Sequence, residues 1–256
     1  MEFSHNVPKE NSKENDIAEI SPFIENIKNK YILSKIYDNI PKKKKLAIVR
    51  FNKRMQIKLN LNAEDYKKYC EIEIEIIPIK GKYGKFININ ENDKLYYHIY
   101  FNDNKEEIKN KYEINKEDKV GIIKIIIDYQ VKSFKKLLYK CECIESINFK
   151  KFYRNNITDM SEMFSGCSSL IELNLTNFNT NKVTDMSGMF SGCSSLKELN
   201  ITNFYNNYVT NMSGMFSGCS SLKEINLNNF NTNNVTNMSE MFYGCSSLKE
   251  LNLPNF

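Results

Sequence analysis

Apolar and polar positions in the second half of the chain follow one long, strict period. The stretch Val209–Phe230, VTNMSGMFSGCSSLKEINLNNF, recurs with light variation in four copies opening at Ile157, Val183, Val209 and Val235, a step of 26 residues. A fixed period of this length is the mark of a stacked repeat architecture. In the third copy the apolar skeleton is Val209, Met212, Met215, Phe216, Cys219, Leu222, Ile225, Leu227 and Phe230. The spacing of Met212, Met215 and Phe216 predicts a short helical turn, capped by Thr210 or Asn211. Gly218 provides a left-handed exit, and Ser220 and Ser221 suit the bend that follows. Ile225 and Leu227 alternate as strand residues facing one side. Each coil is therefore expected to hold a short helix, a tight turn, a short strand and an Asn-rich return loop. Fixing 26 residues costs more than nine apolar side chains return at about 2 kcal/mol each. The coils must therefore stack to be stable.

The first half has shorter patterns. Residues 1–20 are polar and are expected to be disordered. Phe23, Ile27, Tyr31, Ile32, Ile36 and Ile40 keep a helical spacing from Pro22 to Ile40, and Pro41 ends the helix. A second helix is predicted over about 43–59 and a third from about Asn62 to Cys70. The period then changes to two, with Ile72, Ile74 and Ile76 alternating with Glu71, Glu73 and Glu75. Further strands are predicted over Phe86–Asn90, Lys94–Phe101 and Gly121–Asp128, with a charged, partly helical connector over 102–118. The last of these strands is placed as the cap on the repeats. Val131, Phe134, Leu137, Leu138, Cys141, Ile144, Ile147, Phe149 and Phe152 then form a disguised copy, one period before Ile157. At the other end, no polar capping unit follows the fourth clear copy, so truncation or end-to-end self-association is expected there.

Charge divides the halves. Residues 151–256 hold 6 Lys and Arg against 8 Asp and Glu, leaving 30 against 23 in residues 1–150. The basic cluster Lys42–Lys45 lacks aromatic platforms or a groove-reading motif, which argues for a solvated face and against nucleic acid. No apolar run approaches membrane-spanning length. The N-terminal MEFSHNVPKENSKEND does not read as a signal peptide, so a cytoplasmic protein is expected. Cys141, Cys167, Cys193, Cys219 and Cys245 form one column at the repeat period. They are read as small buried core residues with reduced thiols. Cys141 and Cys143 lack partners for zinc. His5 lies in the polar leader and His98 is read as alone in a strand. No catalytic constellation, cofactor motif or small-molecule site is present, so an enzyme is not expected. The sequons at Asn156, Asn174, Asn200, Asn211, Asn234 and Asn237 are explained by turn and cap chemistry.

The informative surface is the outward side of the repeated strand. Glu172, Glu198, Glu224 and Glu250 fall in one column, and Asn174, Asn200, Asn226 and Asn252 in another. Lys197, Lys223 and Lys249 stand beside them. These residues are the candidate contact set for an unidentified protein partner, against the alternative of weak solvated ion-pair ladders.

The recurring V-T-[ND]-M-S-x-M-F-x-G-C-S-S-L-K-E-[LI]-N-[LI]-x-N-F strings resemble BspA-type leucine-rich repeats, familiar from Mycoplasma-type surface proteins and parasitic protists. The resemblance covers residues 131–256. It implies an α/β leucine-rich-repeat solenoid, one short helix and one parallel strand per coil, used for adhesion or protein binding without catalysis. Residues 21–130 are read as a small α+β capping module, with helices over 22–70 and strands over 71–128. Tyr31–Leu59 is similar in pattern to an F-box, without the usual tryptophan, near Met55. A non-enzymatic interaction protein is the resulting expectation. The alternatives are a ubiquitin-ligase adaptor and a cell-surface adhesin.

Overall fold

The computed structural model describes residues 30–39, 57, 70–152, 154–251 and 253. The chain divides into two compact units, Met1–Tyr69 and Cys70–Phe256. The strands expected alongside the N-terminal helices therefore share a unit with the repeats. In the first unit the described element is α1, Lys30–Asn39, which falls inside the helix expected from Pro22 to Ile40. All but Ile57 of the predicted helix over 43–59 and all but Cys70 of that over 62–70 lie outside the described residues, as do His5, the Lys42–Lys45 cluster and Asn252. No helix among the described residues is long and apolar enough to cross a membrane.

The alternation of Ile and Glu does what its period dictates. In β1, Ile72–Pro78, the side chains of Ile72, Ile74 and Ile76 are buried while the glutamates lie on the wetter face. There Glu73 pairs with Lys124 at 3.1 Å and Glu75 with Lys150 at 3.1 Å. Several basic residues of this half thus sit on a solvated sheet face. β1 is the centre of a five-stranded sheet with β3 (Tyr97–Phe101), β5 (Ile123–Ile127), β6 (Ile144–Lys151) and β7 (Glu172–Asn174). Their order is β3-β5-β1-β6-β7. Ile74 stands between Ile125 of β5 and Phe149 of β6, antiparallel to both.

This order corrects the expected cap. β1, not the strand within Gly121–Asp128, lies against the first repeat strand, and β5 is one place further out. Phe86–Asn90 is not a strand either. Its backbone turns to bond elsewhere, Phe86 N–H to the Tyr112 carbonyl and Asn88 N–H to the Leu137 carbonyl. Glu91–Tyr96 is a 3-10 helix capped by the Asn90 side chain, so the next strand begins only at Tyr97. The 102–118 connector holds no helix. It contains β4, Glu113–Ile114, paired with β2, Gly84–Lys85.

From Val131 onward, equivalent residues of successive 26-residue copies lie side by side. Ile147 of β6 is in parallel register with Leu173 of β7. Leu199 and Ile225 pair likewise between β8 (Glu198–Leu199) and β9 (Glu224–Ile225). A second parallel ladder runs through Ser133, Asp159, Asp185, Asn211 and Asn237.

The segment expected to be helical is instead a series of turns. Met189 and Ser191 donate within their own coil, to the carbonyls of Met186 and Gly188 at 3.2 and 3.0 Å. Gly188, Phe190 and Gly192, alternating with them, donate to Ser213, Met215 and Ser217 of the next coil at 2.8, 2.9 and 2.7 Å. An α-helix would consume every one of these amides internally. The cause is a pair of left-handed residues four apart, Gly188 at φ 58° and Gly192 at φ 71°. Each reverses the chain after one turn. Asp159, Asp185, Asn211 and Asn237 cap these turns, each accepting from the N–H and hydroxyl of the serine two residues on.

The core between the ladders is columnar. Phe164, Phe190, Phe216 and Phe242 stack with centroids 5.5, 5.6 and 5.5 Å apart and nearly parallel rings. Cys141, Cys167, Cys193 and Cys219 are buried, and Cys245 is half-buried.

Candidate protein-binding face

The strand side of three successive coils ends in an Asn-x-Thr or Asn-x-Asn turn. Asn174 Oδ1 accepts from the Thr176 N–H at 3.0 Å and hydroxyl at 2.7 Å. Asn200 does the same with Thr202, at 3.2 and 2.7 Å. Asn226 accepts from the Asn228 N–H at 3.0 Å. The asparagine column is therefore exposed, but its carbonyl oxygens are committed to shaping the chain. The next column holds the coils together. Asn203 Nδ2 donates to the Leu175 carbonyl at 2.9 Å, and Asn229 Nδ2 to the Thr202 carbonyl at 2.8 Å.

Two hollows open on this side. One, of about 460 Å³, is lined by residues of the strand ends, including Glu172, Leu173, Asn174, Glu198, Asn200 and Thr202. The other, of about 440 Å³, includes Glu198, Asn200, Thr202, Glu224, Ile225 and Asn226. Their shared residues make them one groove across three coils. Of the residues expected to form a contact face, it gathers Glu172, Asn174, Glu198, Asn200, Glu224 and Asn226. Lys197, Lys223, Lys249 and Glu250 are exposed but line neither hollow.

Leu173 and Ile225 were not on that expected face. Their alternation assigned them to the core, yet both are only partly buried and form part of the groove floor. Thr176 and Thr202 were also missed, although their place two residues after an asparagine was a usable signal. Among the described residues, no ion pair joins the lysine column to the glutamate column, so the alternative of an ion-pair ladder is not formed there.

Elsewhere the titratable groups are held in structural roles. Each thiol from Cys167 to Cys245 donates to a carbonyl of the preceding coil, as Cys193 Sγ does to Phe164 at 3.2 Å. Burial pushes the Cys167 and Cys219 thiols up to about 12, and Cys193 upward as well. Such thiols are poor nucleophiles. Arg154 is buried with Nη1 donating to the Asp128 carbonyl at 2.6 Å, and desolvation lowers its pKa to about 10. His98 is not alone. Nδ1 lies 3.2 Å from Glu107 and Nε2 3.5 Å from Asp128. Among the described residues, no group of three or more His, Cys, Asp or Glu is arranged to hold a metal ion.

Residues 132–256 match the family model DUF285, described as a Mycoplasma protein of unknown function. No curated protein and no solved structure matches the chain. The match begins one residue into the disguised copy and takes in the four clear ones, so the whole groove lies inside the matched residues.

Proposed function

We propose that the DUF285 region is a BspA-like leucine-rich-repeat solenoid in which the usual helix is replaced by turns. It serves as a non-enzymatic docking platform that binds a protein partner on its strand side. The observation that carries this reading is the groove spanning three coils and lined by the same residue types at each step. Repeat architectures present extended surfaces of this kind, and rigid turns below a polar rim lower the ordering cost of binding. The test places a photo-crosslinking residue at Asn200, in the groove, or at exposed Asn181 in a return loop. A partner crosslinked from position 200 and not from position 181 supports the reading. Replacing Lys197, Glu198, Lys223 and Glu224 together, with unchanged circular dichroism, is expected to abolish that adduct. Equal crosslinking from both positions would refute the assignment of the face.

A second reading, adaptor docking through the F-box-like segment, has one observation in its favour. On α1, Tyr31 is 70% exposed, Ile32 49% and Ile36 38%, so the helix carries solvent-exposed apolar side chains. Leu33 on the same helix is fully buried and is a poor probe, because a charge there would disturb packing. Ile36→Asp is the informative variant. Loss of co-purification with a Skp-type adaptor would support this reading, and absence of that adaptor from the wild-type complex would end it.

A further inference from the structure

We propose that the groove takes an extended polypeptide segment bearing Lys or Arg side chains, laid across the coils with its cations against Glu172, Glu198 and Glu224. This rests on the strand side being the docking surface, and adds the chemistry of the occupant.

The shape comes first. The two hollows share Glu198, Asn200 and Thr202, so the trough is continuous over three coils and long enough for several residues of an extended chain. Its floor is partly apolar through Leu173 and Ile225, which suits the aliphatic stems of Lys and Arg. Its rim is fixed, because Asn174, Asn200 and Asn226 are each locked by a bond two residues on.

Charge complementarity then selects the occupant. Glu198 and Glu224 stand directly beside each other in parallel register, with Glu172 on the coil before. Like charges opposite each other across a strand pair repel. Among the described residues, none of the three carboxylates is in an ion pair, and no cation lines either hollow. A bound Lys or Arg segment would remove that repulsion. The carboxylates recur at about the strand spacing of 4.8 Å, whereas same-side residues of an extended chain recur at about 6.8 Å. Long, flexible cationic side chains absorb this mismatch; short ones would not.

The test uses the full chain and short fluorescent peptides, one alternating Lys with Thr and one alternating Glu with Thr. Binding is followed by anisotropy at low salt and at about 0.3 M NaCl, where exposed charges are strongly screened. The Lys peptide is expected to bind and to weaken with salt, and the Glu peptide not to bind. The combined variant Glu172→Gln, Glu198→Gln and Glu224→Gln is expected to lose about tenfold or more in affinity and to flatten the salt response. Glu198→Gln alone gives a smaller loss of the same kind. Glu73→Gln with Glu75→Gln, on the separate sheet face, leaves binding unchanged. Equal binding of the Lys peptide to the triple variant and the wild type overturns the proposal. If the Asn200 crosslink to a partner nevertheless persists, the face stands and only the cationic chemistry falls. If neither is seen, both fall.

Discussion

At the residue scale, the phenylalanine column gives the clearest energetic expectation. Phe216 is fully buried between Phe190 and Phe242, with near-parallel rings on both sides. Phe216→Ala opens a cavity with neighbours above and below, and is expected to cost about 3–5 kcal/mol in urea unfolding. Phe242→Ala is expected to cost less, because that ring is only partly buried. Glu162 makes the opposite case. It occupies the left-handed position that glycine fills in the next two coils, at φ 53°. Its pairing with Lys136 at 3.3 Å is too solvated to offset the strain. Glu162→Gly is expected to stabilise the chain by about 0.5–1 kcal/mol, measured as a shift in the urea midpoint.

The thiols add a pH dependence. Cys167, Cys193 and Cys219 have folded pKa values raised by burial above those of an unfolded thiol. Folding therefore favours the neutral form. That contribution is complete below the unfolded pKa, near 8.5, and is lost as pH rises towards the folded values, about 12 for Cys167 and Cys219. At pH 10 Cys167 and Cys219 are each expected to cost about 1–2 kcal/mol relative to pH 8, and Cys193 acts in the same direction. Urea midpoints in reductant should fall over that range, and replacing the three cysteines with alanine should flatten the fall. An unchanged slope in the alanine variant would mean that other groups, not these thiols, set it.

At the element scale, the point of interest is how the first coil is closed. Within the stack each coil donates N–H groups to the next, which leaves the first coil with carbonyls to satisfy. Asn88 meets two of them, its N–H donating to Leu137 at 2.7 Å and its Nδ2 to Tyr139 at 2.8 Å. β1 does the corresponding work on the strand side. Asn88→Ala keeps the backbone bond and leaves the Tyr139 carbonyl with only the long, weak contact from the Cys141 thiol at 3.8 Å. The expected loss is about 1–2 kcal/mol in urea unfolding, with Asn88→Asp no better, since a carboxylate cannot donate.

This closure was not legible in the sequence. The 26-residue period, the buried columns and the alternation of β1 were, because each is a local pattern of side-chain polarity. The helix expected at Met212, Met215 and Phe216 failed because repeated turns bury the same positions three and four apart. The deciding signal was the pair of residues at Gly214 and Gly218, both left-handed, where only the second was read. The order of β1 and β5 beside the repeats depends on pairing across 75 residues, as between Ile74 and Phe149, and carries no local mark. On the candidate face, the glutamate and asparagine columns were legible from register. The exclusion of the lysines and the entry of Leu173 and Ile225 were not, because the described strands are only two or three residues long and expose their ends.

At the scale of the whole molecule, the ladder has a direction, and direction constrains what can adjoin it. Met212, Gly214, Phe216 and Gly218 donate to Asn237, Ser239, Met241 and Tyr243 of the following coil. The equivalent amides of Met238, Glu240, Phe242 and Gly244 find no acceptor among the described residues, and their carbonyl side is already turned to the coil before. The face they form is thus a row of donors beside partly exposed apolar groups, Met238 at 37% and Leu251 at 38%. Such a face fits the acceptor side of another coil of the same polarity. It does not fit itself, since a two-fold contact would set donors against donors. A further coil of the same polarity is accordingly expected to satisfy these donors. A chain carrying one additional 26-residue copy after Phe256 should bury Phe242 and Met238, pair the four amides, and gain about 2 kcal/mol or more. The gain should show as a higher urea midpoint and as slowed hydrogen exchange at Glu240, Phe242 and Gly244, with no change in sedimentation behaviour beyond the added mass. An unchanged midpoint with unprotected amides would mean that the coils are not coupled through the turn ladder. The directional stacking inferred from its hydrogen bonds would then be wrong.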